Sequence, residues 1–252
     1  MAAVCLWLGM ESRRVLITGA NGVLGSAVGR YFLERDEGCV VFLGVRERRE
    51  RAEELGAAYP GRAVLCPLEI TDAGSWAEAL SRIQTAAGPL SVLINNAGFH
   101  SDALLARMTA AQWGDVLNTN LNAVFLGCQA ALGAMMPERW GRIINVASLS
   151  ALHPPAGQTN YAAAKAGVVA LTQSLAKECG RMGITVNAVC PGHIEGALPP
   201  EWDEERVKAV RREVPMRRFA RPEEIAAAVF FLASAEASYI TGTALKLDGG
   251  LT

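Results

Sequence analysis

The chain alternates between two spacings of apolar residues. Short unbroken apolar runs (RVLITGA, CVVFLGV, AVLCPLEI, LSVLINNAG, GRIINVAS, ITVNAVCPG and TALKLDGG) are separated by segments in which apolar positions recur at helical spacing. The spacing predicts helices over about 24–35, 47–57, 73–86, stretches of 109–136, 161–178, a charged segment at 201–213, and 222–233. Continuous apolar strands divided by helices indicate a parallel sheet covered on both faces. The expected fold class is α/β, a single doubly wound domain of about seven parallel strands with helices on both faces, spanning 13–252. No repeat, linker or low-complexity segment divides it.

Composition narrows the function classes. Apolar residues make up 51% and charged residues 19%, and the net charge is −1. No chain-wide field draws the protein to nucleic acid or to an acidic membrane surface. No run approaches the ~20 apolar residues of a membrane span. The six cysteines are scattered, without a C-x-x-C pair, and the three histidines stand apart, so no metal site is expected. Reduced core thiols and a cytoplasmic location follow. The apolar start, MAAVCLWLGM, lacks a basic leader and cleavage site. Residues 1–12 are therefore expected to be a flexible extension, with Met10 a candidate natural start.

The first strand runs into a glycine-rich turn and a helix, RVLITGANGVLGSAVGRYF. Backbone N–H groups at such a helix start can hold a pyrophosphate, with Gly19, Gly22 and Gly25 allowing close approach. A simple tight turn would read the same way. The second strand ends in FLGVRERRE, with no acid before Arg46. A carboxylate there would hold a ribose 2′-hydroxyl, whereas a guanidinium pairs with a 2′-phosphate. Arg46 therefore favours NADP, with Arg48 or Arg49 as helpers; a surface arginine opening a helix is the alternative.

In NYAAAKAGVVALTQSLAKECG, Tyr161 and Lys165 lie one helical turn apart. Ala164, Val168, Leu171 and Leu175 form the arc expected to pack on the sheet. The Tyr–Lys pair is expected at its margin, half-sheltered, where each side chain can shift the other's pKa.

Taken in order, TGANGVLG, NNAG at 95–98, Asn120 in NTNLNAVF, Ser148 in INVAS, YAAAK and PG at 191–192 resemble the short-chain dehydrogenase/reductases, from about Arg13 to the end. Several longer stretches, among them SDALLARMTAAQWGDVLNTNL and GITVNAVCPGHIE, are similar to the bacterial 3-oxoacyl-(acyl-carrier-protein) reductases. The resemblance implies a Rossmann-type fold, an NADP(H) cofactor, and Asn120, Ser148, Tyr161 and Lys165 as the catalytic set. Tyr161 would donate a proton to the substrate carbonyl oxygen. Lys165 would lower the phenol's pKa and hold the nicotinamide ribose. Ser148 would bond the substrate oxygen, and Asn120 would organise a water linking Lys165 to solvent. Cofactor binding would fall to Gly19, Asn21, Gly22, Leu24, Gly25, Arg46, Glu69, Ile70, Asn95, Ala97, Gly98, Tyr161, Lys165, Pro191, Gly192 and Ile194.

The chain departs from the family pattern at three places. The usual middle glycine of the first loop falls at Val23, where a side chain would displace the pyrophosphate slightly. Glu69 replaces an adenine-binding aspartate. Gly196 stands where a threonine is common, which is expected to loosen the loop after Pro191.

By the resemblance, the substrate is a 3-oxoacyl thioester on an acidic acyl carrier protein, in fatty-acid or polyketide synthesis. The basic docking positions fall at Arg139 and Lys177, each of which also suits an ordinary surface charge. His193, Trp202 and Met216 are candidates for an acyl pocket, and His153 for its entrance, against plain surface roles. A homotetramer is implied. Reduction of another small carbonyl or alcohol, or a non-catalytic nucleotide-sensing scaffold, are the rival readings.

Overall fold

The computed structural model describes residues 13–199 and 202–252; the expected extension over 1–12, with Met10, lies outside them. Seven strands form one parallel sheet: β1 (Arg14–Thr18), β2 (Val40–Val45), β3 (Ala63–Pro67), β4 (Val92–Asn95), β5 (Gly141–Val146), β6 (Ile184–Pro191) and β7 (Ala244–Leu247). Their spatial order is β3-β2-β1-β4-β5-β6-β7. Strand order reverses between β1 and β4. In open α/β sheets the crevice at the carboxyl ends of such a strand pair is where ligands bind.

The strands are buried on both faces because their alternate residues feed two separate cores. Val15 and Ile17 of β1, with Val41 and Leu43 of β2, join one core. It is closed by α1 (Val23–Arg35), α2 (Glu50–Ala58) and α8 (Pro222–Leu232). Leu16, Phe42, Leu93 and Ile143 point the other way, into a core closed by α3 (Ala73–Ala87), α5 (Ala123–Glu138) and α6 (Thr159–Cys179). This period-2 division explains why the strands read as unbroken apolar runs. No described helix is long and apolar enough to cross a membrane.

Helix ends are set by local chemistry. The Asp72 carboxylate accepts from the Gly74 N–H at the start of α3. Thr109 and Gln112 form a reciprocal capping box on α4 (Ala110–Leu117). Asp203 caps α7 (Glu204–Glu213), which therefore starts three residues after the expected 201. Between α4 and α5 the backbone widens into a π-helical turn, Asn118–Asn122.

One expectation about packing is corrected. The buried stripe of α6 is Ala164, Lys165, Val168, Thr172, Ala176 and Cys179, with Leu171 and Leu175 only partly buried at its edge. Lys165 is thus inside the stripe, not at its margin. The loop after Pro191 is held just ahead of Gly196. The Ile194–Ala220 bridge ties it down, with Ala220 N–H donating to the His193 carbonyl and Glu195 N–H to the Ala220 carbonyl. The five described cysteines are buried free thiols, and burial pushes Cys66 up to about 11 and Cys128 up to about 12.

Candidate active site

A cleft of about 780 Å³ opens at the carboxyl ends of β1, β2 and β4. Gly19, Asn21, Gly22, Leu24 and Gly25 form one wall, Arg46, Glu69 and Ile70 another, and Ala97 and Gly98 the floor. A Cβ on Gly25 would lie 2.4 Å from the Gly19 carbonyl oxygen and 2.8 Å from Asn96 Nδ2. The turn therefore closes only around glycine, and the backbone is left bare where a dinucleotide's pyrophosphate would lie. The residues fit the cofactor. Val23 projects away from the cleft, toward Gly196, so it does not intrude on the pyrophosphate path.

Asn21 serves this loop indirectly. Its Oδ1 accepts from the Arg51 N–H at 2.8 Å and its Nδ2 donates to Glu50, which fastens the glycine turn to α2. Arg46 is exposed and lies 3.1 Å from Glu69. The Glu69 carboxyl is held below its ordinary value, first by the Thr71 hydroxyl and also by Arg46. The arginine read as a phosphate ligand and the acid read as an adenine ligand are therefore partners of each other. Arg48 and Arg51 also line the cleft, whereas Arg49 starts α2. Arg51, six residues beyond the end of β2, belongs to a charged run that reads in sequence as an ordinary solvated face.

The NNAG segment corrects the assignment of Asn95. Its side chain is buried, donates to Asn145 Oδ1 at 2.9 Å, and touches Cys128 behind the sheet. Asn96 faces the cleft instead. Its Nδ2 donates to the Thr18 and Gly19 carbonyls, and its N–H, with that of Ala97, donates to Thr18 Oγ1. The two adjacent asparagines gave no way to tell them apart, because neighbouring strand residues face opposite sides.

Asn120, Ser148, Tyr161 and Lys165 lie at the carboxyl-end side of the central strands. The π-helical turn carries Asn120 inward to complete burial, its Nδ2 donating to the carbonyls of Phe99 and Val116. Its Oδ1 is buried with no hydrogen-bond partner among the described residues. A Cβ on Gly98 would lie 2.5 Å from that oxygen and 3.5 Å from Lys165 Nζ, so both atoms border one small space. Lys165 is 3% exposed, and its Nζ donates to the Val146 carbonyl at 2.8 Å. Burial lowers its pKa to about 8, with Cys190 opposing slightly.

Tyr161 is half-buried, with Lys165 Nζ 5.7 Å from its ring centre. Burial raises its pKa, a hydrogen bond with Ser148 works the other way, and Asp102 raises it further. The Lys165 ammonium has three donors, and its one bond to Val146 leaves two for other partners on the Tyr161 side. Ser148, after β5, accepts from the Ser150 N–H.

Pro191 ends β6 in full burial, and Gly192 and Ile194 follow half-buried. They lie apart from the residues that line the adenine side of the cleft. His193 is clasped edge-on between Trp202 and Phe219, at 5.4 and 5.6 Å, and burial lowers its pKa. His193 and Trp202 remain partly exposed beside the buried Phe219. Met216 is exposed, and His153 sits in an exposed loop. Arg139 follows α5 in a left-handed conformation, its guanidinium donating to the Arg181 carbonyl. Lys177 lies in the last turn of α6, about 24 Å along the helix from Tyr161. Neither reaches the catalytic side chains.

Comparison with known proteins bears on this arrangement. A family profile described as Enoyl-(Acyl carrier protein) reductase, of the short-chain alcohol dehydrogenase type, matches residues 19–252. The chain belongs to the short-chain dehydrogenase/reductase family. It is an oxidoreductase of the kind that uses a nicotinamide cofactor. The 3-oxoacyl-(acyl-carrier-protein) reductase FabG of Vibrio harveyi is 41% identical over 246 residues, covering 97% of this chain and 99% of that protein. The corresponding reductase of Thermotoga maritima is 38% identical, covering 96% and 98%. Nodulation protein G of Azospirillum brasilense is 38% identical over 249 residues, covering 96% and 99%.

Proposed function

We propose that the protein reduces a 3-oxoacyl thioester, presented on an acyl carrier protein, to the 3-hydroxyacyl form with NADPH. The chemistry rests on one observation: Tyr161 and Ser148 adjoin at the substrate side while Lys165 and Asn120 Oδ1 share a buried space beneath. The substrate class rests on near full-length similarity to 3-oxoacyl reductases.

When bound, the nicotinamide supplies the hydride. Ser148 then bonds the substrate oxygen, where negative charge gathers as the carbon–oxygen double bond is reduced. Tyr161 Oη gives its proton to that oxygen. The phenol is protonated at neutral pH, and its hydrogen bond with Ser148 works against the rise that burial imposes on its pKa. Lys165, its Nζ 5.7 Å from the Tyr161 ring centre, would stabilise the phenolate left behind, and Asn120 Oδ1 can accept from a water that returns the proton. Arg46, with Arg48 and Arg51 beside it, would meet the 2′-phosphate.

The exposed Phe125 and Met136 on α5 and Phe231 on α8 support self-association, of which the homotetramer is the proposed form. Tyr161→Phe tests the chemistry. Turnover with NADPH and a 3-oxoacyl thioester should fall by about 10²- to 10⁴-fold while NADPH still binds. Comparable turnover in the variant would remove Tyr161 from the acid role.

A further inference from the structure

His100 carries a role that the catalytic set does not include. Its ring lies edge-on to that of Tyr161, with centres 6.2 Å apart. A chain of hydrogen bonds fixes it there. The Ser150 N–H donates to Ser148 Oγ and the Ser150 hydroxyl to Gln158 Oε1 at 2.9 Å. Gln158 Nε2 donates to Asp102 Oδ2 at 2.7 Å, and Asp102 Oδ1 lies 3.2 Å from His100 Nδ1. Gln158 and Asp102 thus tie the α6 side of the site to the loop after β4, and the imidazole is oriented from the same scaffold as Ser148.

The tautomer follows from the partners. A carboxylate only accepts, so Nδ1 carries the hydrogen, and in the neutral ring Nε2 is left as an acceptor. Nε2 has no hydrogen-bond partner among the described residues, and the ring is partly exposed. The partner suited to that neutral ring is a donor. In a 3-oxoacyl thioester both carbonyl oxygens are acceptors, and the sulfur is at best a weak one. The first N–H available is the amide of the carrier arm, a few bonds beyond the sulfur. We propose that His100 is a specificity-determining residue whose Nε2 accepts from that amide N–H, so that the enzyme recognises an amide-bearing thioester arm. This rests on the thioester reading given above.

The test compares one 3-oxoacyl group presented as its N-acetylcysteamine thioester and as its ethyl thioester, which lacks the amide. His100→Phe keeps the edge contact with Tyr161 and removes both ring nitrogens. His100→Gln retains an acceptor oxygen. The wild-type protein should show a lower KM for the amide-bearing substrate. His100→Phe should raise that KM by about 2- to 10-fold, as loss of one neutral hydrogen bond does, and leave the ethyl thioester within about twofold. His100→Gln should recover part of the difference. Equal losses on both substrates would show that His100 acts only through Tyr161, and no change on either would remove it from recognition; each overturns the proposal. Failure of the wild-type protein to reduce either thioester, with NADPH bound, would instead overturn the substrate reading beneath it.

Discussion

Asn95 and Asn96 are the same residue type side by side, yet they do unlike work. Asn95 bridges to Asn145 within the buried layer, while Asn96 laces the glycine turn to the end of β1. Asn95→Ala leaves the Asn145 side-chain Oδ1 with only the weak Cys128 thiol as donor and should cost about 1–3 kcal/mol of stability, with little change in cofactor affinity. Asn96→Ala should weaken cofactor binding several-fold at smaller expense in stability. Paired urea denaturation and cofactor titrations check both, and the reverse pattern would overturn the assignment. At this scale the sequence made Tyr161 and Lys165 legible through their spacing, and Asn120 and Ser148 through the order of the segments around them. It could not say which asparagine ends the strand facing the cleft, since that depends on where pairing stops. Nor could it show the buried depth of Lys165, which depends on how α6 is rotated over β6.

The proposed preference for NADPH rests on the ends of β2 and β3 as elements. Their parallel pairing sets Val45 opposite Pro67, and the residues that follow bring Arg46 to Glu69. The guanidinium is exposed and ion-paired, so the pair is worth little to stability and is free to exchange its partner for a phosphate. Arg46→Ala should raise the KM for NADPH by about 10- to 100-fold, the range for a charge-assisted hydrogen bond, and leave NADH nearly unchanged. Glu69→Gln should lower the NADPH KM. Steady-state kinetics with both cofactors checks this, and an equal effect of Arg46→Ala on NADH would place the residue outside phosphate recognition. The elements themselves were legible from the switch between short apolar runs and helical spacing. The π-helical turn was not, because Asn118–Asn122 lies inside one helical-looking stretch and only the packing of Asn120 requires the wider turn.

The whole molecule sets the protonation of Lys165. Folding lowers its pKa from about 10.5 to about 8, so between those values the unfolded chain holds a proton that the folded one has released. Stability from this group therefore rises with pH through the window from 8 to 10.5, and below pH 8 the buried ammonium carries a penalty of ~3 kcal/mol. Lys165→Met should abolish turnover, flatten the rise in stability above pH 8, and at pH 7 leave the cofactor-free protein at least as stable as wild type despite the lost bond to Val146. Urea denaturation from pH 7 to 10 checks this, and an unchanged slope would place the titration elsewhere. The sheet was legible at this scale because buried parallel strands impose unbroken apolar runs. The docking positions were less so: Arg139 and Lys177 sit at the far ends of α5 and α6 from Tyr161, a separation that follows from helix length and direction and not from residue type.

Val23 and Gly196 look like two unrelated losses along the chain, but they meet. A Cβ at 196 would touch the Val23 methyls at 3.6 and 3.8 Å, on a backbone already at φ +75. They line one recess between the first helix and the loop after β6, so a side chain at 196, strained by its backbone, would be received beside Val23. A chimera built by recombination near the middle of the gene, taking α1 from this protein and β6 onward from a relative with a bulky residue at 196, would unite two surfaces that were never shaped for each other. The crossover point, and not the ancestry of either half, would decide whether such a hybrid closes around its cofactor.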